Sequence, residues 1–85
     1  MNFLYSKKAQ KDIKKIETLM ARKILLQIQK WENGDIQMPI PKMLVGIKSP
    51  QYRIRIGDYR VRGYITESEF KVLRIRHRSD IYKDL

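Results

Sequence analysis

Residues 52–64 read YRIRIGDYRVRGY, in which β-branched and aromatic residues alternate with arginine on both sides of Gly57-Asp58. A period of two means a strand, and Gly at the first central position of a two-residue loop is the signature of a type II′ hairpin. That turn fixes the register: Ile56 faces Tyr59, Arg55 faces Arg60, Ile54 faces Val61 and Arg53 faces Arg62. Ile54, Ile56, Tyr59 and Val61 are expected on one side of the sheet, with all four arginines projecting from the other. Like charges directly opposed on neighbouring strands are destabilising, by up to roughly 1 kcal/mol a pair.

A third alternating run, Phe70 to Arg76, places Arg74 and Arg76 on one face, and Arg78 follows its end. Seven arginines therefore fall between residues 53 and 78. The 85-residue chain carries 19 Lys and Arg against 9 Asp and Glu, a formal net charge of +10, so a polyanion or an acidic protein is its expected counterpart. A guanidinium stays charged, grips phosphate through a planar fork and stacks on bases. A solvated basic face that discourages edge-to-edge aggregation is the other reading. Lysine alone would have met that need, so the choice of arginine favours phosphate recognition.

The remainder of the chain predicts a single α+β domain over 1–85. Asn2 to Tyr5 read as a strand, and Ser6 stands where a helix N-cap sits. Lys7 to Glu32 contain no Gly or Pro, and Ala9, Ile13, Ile16, Met20, Ile24, Ile28 and Trp31 recur at helical spacing. One continuous helix there would be ~39 Å long and would overhang so small a domain. A break near Glu17-Thr18 is expected, with Thr18 capping a second helix. Lys7, Lys8, Lys11, Lys14 and Lys15 form a solvated face or a polyanion contact. Met38 to Pro50, with three prolines, reads as an ordered connector held to the core by Leu44, Val45 and Ile47. Antiparallel strands follow, then a last turn of helix capped by Ser79.

The chain has no cysteine and one histidine, which excludes disulfides and argues against a histidine-rich metal cluster; no cofactor is expected. The opening MNFLYSKKAQ lacks the apolar run of a signal peptide, and no stretch approaches the roughly 20 apolar residues of a membrane span. The expectation is a soluble cytoplasmic protein that makes no use of a membrane.

YRIRIGDYRVRGY, followed by VLRIRHRSDIY at residues 72–82, resembles the RelE/ParE superfamily of bacterial and archaeal toxins, particularly the RelE-like mRNA interferases. The resemblance implies a toxin of a type II toxin–antitoxin system: a compact α+β endoribonuclease that binds mRNA on its basic sheet, usually in the ribosomal A site, and cuts it by attack of the RNA's own 2′-hydroxyl. It also implies an antitoxin partner, expected to be acidic. By position, the family's basic pair in the first motif strand falls on Arg53 and Arg55. Its arginine after the turn falls on Arg60, its arginine after the last strand on Arg78, and its C-terminal tyrosine on Tyr82. Relatives commonly read YRVIY where this chain has YRVRGY, so Arg62 adds charge and Gly63 stands in place of an aromatic residue. Gly63 marks a possible bulge.

Metal-free cleavage needs a base for the 2′-hydroxyl, charge stabilisation on phosphorus, and help for the departing 5′-oxygen. Arg60 and Arg78 are expected as the phosphate stabilisers. Arg53 and Arg55 orient the backbone, and Arg62, Arg74 and Arg76 extend the RNA-binding surface. Tyr82 is either a proton-transfer group or a hydrophobic anchor for the C-terminal turn. His77 has suitable acid–base chemistry, but alternation sets it with Leu73 and Ile75, opposite Arg74 and Arg76. Two other functions remain open: a noncatalytic ParE-like toxin acting on DNA gyrase, and an RNA-binding module without catalysis.

Overall fold

The computed structural model describes residues 1–45, 50–81 and 83. In chain order it has β1 (Asn2–Tyr5), α1 (Lys7–Lys15), α2 (Thr18–Asn33), β2 (Lys42–Met43), β3 (Tyr52–Ile56), β4 (Tyr59–Ile65) and β5 (Glu69–His77). The five strands form one mixed sheet in the order β1-β5-β4-β3-β2, with β1 parallel to β5 and every other pair antiparallel.

The helical stretch breaks where length requires it, since the molecule's longest extent is 32 Å. Ser6 caps α1, its Oγ accepting from the Ala9 N–H at 3.0 Å and donating to the Leu73 carbonyl at 2.9 Å. The cap of α2 is Glu17 rather than Thr18: its carboxylate accepts from the amides of Leu19 and Met20 at 3.1 and 3.2 Å. A carboxylate serves there because it meets both the unpaired amides and the positive end of the helix dipole. Gly34 closes α2.

Ile24, Ile28 and Trp31 of α2 pack with Ala9 of α1 on one face of the sheet, against Phe3, Ile54, Val61, Phe70, Val72 and Ile75. The rings of Phe3 and Phe70 stack 5.2 Å apart across the parallel pair. Two carboxylates complete exposed strand edges. Glu32 accepts from the Phe3 amide at 2.9 Å on the outer side of β1. β1 ends at Tyr5, and beyond it α1 runs along β5, where Asp12 accepts from the Ile75 amide at 3.0 Å.

Three expectations are corrected here. The connector contributes a fifth strand, the two-residue β2, at the far edge. Val45 is 92% exposed and anchors nothing, whereas Met38 packs on the core; Ile47 lies outside the described residues. Residues 78–81 and 83 form turns rather than helix, and the Ser79 hydroxyl meets the His77 ring at 2.9 Å instead of capping. Among the described residues no helix is long and apolar enough to cross a membrane.

Candidate nucleic-acid interface

The hairpin register is the one the sequence dictates: Arg53 opposite Arg62, Ile54 opposite Val61, Arg55 opposite Arg60, Ile56 opposite Tyr59. Gly57 has φ +56° and, among the described residues, no non-glycine residue, Asp58 included, has positive φ, which is the type II′ pattern. On β5, Arg76 faces Arg60 and Arg74 faces Arg62. The ladder shifts at Arg62/Gly63, where Gly63 pairs with Val72, so the inserted residue is Leu73 on β5 rather than Gly63 itself. Glycine is required at 63 by proximity: a Cβ would collide with the Lys71 carbonyl oxygen and lie 2.9 Å from the Phe70 ring.

One part of the arginine face gathers into an open cleft of about 540 Å³ lined by Pro39, Ile40, Lys42, Arg53, Ile54, Arg55, Gly57 and Arg60. Arg60 is positioned by its own turn, its Nη1 donating to the carbonyls of Gly57 and Tyr59 at 3.0 Å each. Arg55 lies exposed across from it, with Nε 3.4 Å from the same Gly57 carbonyl. Lys42 enters from β2, directly opposite Arg53. Sequence reasoning missed Lys42. The available signal was its place just after Pro41, where a proline-rich connector can add only an edge strand and an exposed edge commonly carries lysine.

Two arginines do not face solvent. Arg62 is 4% exposed, and its Nη1 donates to the Ile81 carbonyl at 3.0 Å, tying the C-terminal turn down across the middle of the sheet. Ile81 itself is fully buried. Arg74 forks onto Asp12, Nε to Oδ2 at 2.8 Å and Nη2 to Oδ1 at 3.0 Å, with its side chain 16% exposed. The expected RNA-binding surface thus loses Arg62 and Arg74. Alternation along a strand tells which way a side chain points, not what lies over it.

Arg76 is half-buried beside Arg60, and Arg78 is exposed just past β5. The Arg78 amide donates to the Asp58 carbonyl at 2.8 Å, which brings the backbone of Arg78 to the hairpin turn that holds Arg60. His77 lies on the opposite side of the sheet from Arg60, edge-on to Tyr59 at 5.7 Å. The Ser79 amide donates to His77 Nδ1 at 3.2 Å. His77 borders a separate hollow of about 210 Å³ with Asp12, Lys15, Tyr59, Arg76 and Asp80. There a hydrogen bond from Lys83 holds Asp80 below the usual carboxylate range. Tyr82 lies outside the described residues. Among those described, no group of three or more His, Cys, Asp or Glu is placed to hold a metal ion.

Two helices on one face of a five-stranded mixed sheet, with a basic cleft at the central hairpin on the other, define a small toxin-type α+β domain. The model of the ParE toxin family of type II toxin–antitoxin systems matches residues 3–82, and the chain belongs to that family, within the RelE/ParE superfamily. Among solved structures, the RelB–RelE antitoxin–toxin complex from Methanococcus jannaschii aligns at TM-score 0.70 and 25% identity, covering 96% of this chain and 98% of that one. The RelBE2 toxin–antitoxin complex from Mycobacterium tuberculosis aligns at TM-score 0.74 and 16% identity over 89% and 95% of the two chains. The YoeB dimer from Staphylococcus aureus aligns at 0.62 and 17% identity over 91% and 95%. No curated protein matched the sequence.

Proposed function

We propose that this type II toxin is a ribosome-dependent endoribonuclease. The observation that carries the reading is the cleft in which Lys42, Arg53, Arg55 and Arg60 converge, with Arg60 clamped by two turn carbonyls. A phosphodiester seated there places its non-bridging oxygens against the Arg60 fork, while Lys42, Arg53 and Arg55 hold the flanking backbone. Attack by the 2′-oxygen forms a bond to phosphorus and breaks the bond to the 5′-oxygen, leaving a cyclic phosphate and a 5′-oxygen that takes a proton from water to become a hydroxyl. Negative charge builds on the non-bridging oxygens in between, and a pre-positioned guanidinium stabilises that state without reorganising. Arg78 is the second candidate for this charge, since its backbone is fixed at the same turn. The proton leaves the 2′-hydroxyl to a base other than these guanidiniums, which stay protonated in proteins; Tyr82 is the candidate carried from the sequence, because His77 lies across the sheet from Arg60. The toxin's partner in the cell is an acidic antitoxin that covers this surface.

Translating ribosomes incubated with the protein should give mRNA cut at codon-defined positions. Intact mRNA, under conditions in which a RelE-like toxin cuts, overturns the reading. The ParE family match supports a second reading, a noncatalytic toxin acting on DNA gyrase. Inhibition of supercoiling together with intact mRNA would establish that one instead.

A further inference from the structure

The arginine cleft does not end the usable surface of this sheet face. On β4, Arg60, Arg62 and Tyr64 alternate onto one side, so Tyr64 stands one two-residue step, ~7 Å, beyond Arg62 and its cross-strand neighbour Arg53. Tyr64 is 39% exposed although it sits within a strand of the central sheet. Lys71 pairs with it on β5 and sets its ammonium 6.0 Å from the ring centroid. Beside it opens a cavity of about 650 Å³ lined by Pro50, Gln51, Tyr52, Tyr64, Ile65 and the bulged Leu73. Packing does not account for a large aromatic ring left open next to a cation and above an unfilled hollow.

We propose that Tyr64, with Lys71 beside it, is a stacking subsite that receives one unpaired base of an RNA strand whose phosphates lie in the arginine cleft. The proposal rests on the RNA-cleaving reading above and adds to it a base-binding position outside the reacting groups. A flat aromatic surface takes any base by its π-face, and a neighbouring cation strengthens the contact. The step from Arg53 is short enough for a base whose own phosphate is held by that arginine. An acidic peptide segment fits less well, because the described residues that line the cavity include no guanidinium and no ammonium group.

The test is fluorescence anisotropy of a short unstructured RNA at several salt concentrations, with a series of the same RNA carrying one abasic position at a time. Tyr64→Leu should weaken binding by about tenfold or more, with an unchanged salt slope because no cation is lost. Tyr64→Phe should bind as the parent does, and the penalty of Tyr64→Leu should vanish for one member of the abasic series. Arg60→Ala, in contrast, should both weaken binding and flatten the salt slope. If Tyr64→Leu binds every RNA like the parent while Arg60→Ala is weakened, the subsite is wrong and the cleft reading stands. If Arg60→Ala binds like the parent, the cleft reading is the one that fails. A Tyr64→Leu protein that loses its protein partner but keeps its RNA affinity overturns the proposal in favour of a partner contact.

Discussion

Arg60 and Arg62 are two residues apart on one strand face, yet one lines an open cleft and the other is buried under a carbonyl. The difference lies in what the chain lays over each. Arg74 is a third case, a guanidinium engaged by Asp12, which also accepts the Ile75 amide. Removing one partner of such a pair leaves a buried charge uncompensated. Arg74→Ala should therefore lower unfolding free energy by about 3 kcal/mol in urea titration, with RNA affinity at the open cleft unchanged for the fraction that is folded. Tyr5 supplies the pH-dependent term. Burial, with the Glu32 carboxylate adding to it, pushes its phenol from 10.0 up to about 12. The folded state keeps the proton that the unfolded chain gives up first, so this contribution is intact below about pH 10 and is lost as pH rises towards 12. Urea midpoints measured across that window should fall for the parent, and Tyr5→Phe should lack that component of the fall.

The hairpin is the element on which the site depends, because its turn sets the strand register and its Gly57 carbonyl holds Arg60. An alanine at the positive φ of Gly57 costs roughly 1–2 kcal/mol and shifts the carbonyl that orients the guanidinium. Gly57→Ala should reduce cleavage more than its modest drop in melting temperature explains, whereas a variant at the exposed face of α2, such as Leu19→Ala, should leave cleavage unaffected. This element was legible in the sequence because period-two alternation and a two-residue turn are local signals. The break between α1 and α2 was legible from length alone, though its cap was not, since Thr18 and the neighbouring Glu17 can both occupy such a position. Burial of Arg62 was hidden because it depends on Ile81, 19 residues away. The Asp12–Arg74 pair spans 62 residues. β2 carries only two residues of pattern, too few to read as a strand.

At the scale of the whole molecule, a net charge of +10 is divided unevenly. The helices carry a lysine-rich outer surface, while the four cations of the cleft are drawn together by strand pairing between β2, β3 and β4. If those four make the phosphate contacts, the logarithm of RNA affinity should fall against the logarithm of salt with a slope of about −3, at roughly 0.7 per contact on a single strand. Each single alanine variant in the cleft should reduce that slope by about 0.7, and variants of Lys7, Lys8 or Lys11 should not if those lysines are only a solvated face. The proposed reading has the Arg60 cleft cutting RNA on the ribosome. Its most direct test is mapping mRNA 5′ ends after adding parent or Arg60→Ala protein to translating ribosomes. Codon-positioned cuts are expected from the parent, and a loss of about a hundredfold or more in cutting rate for Arg60→Ala, with its unfolding free energy within about 0.5 kcal/mol of the parent; uncut mRNA from the parent, or undiminished cutting by Arg60→Ala, would overturn the reading.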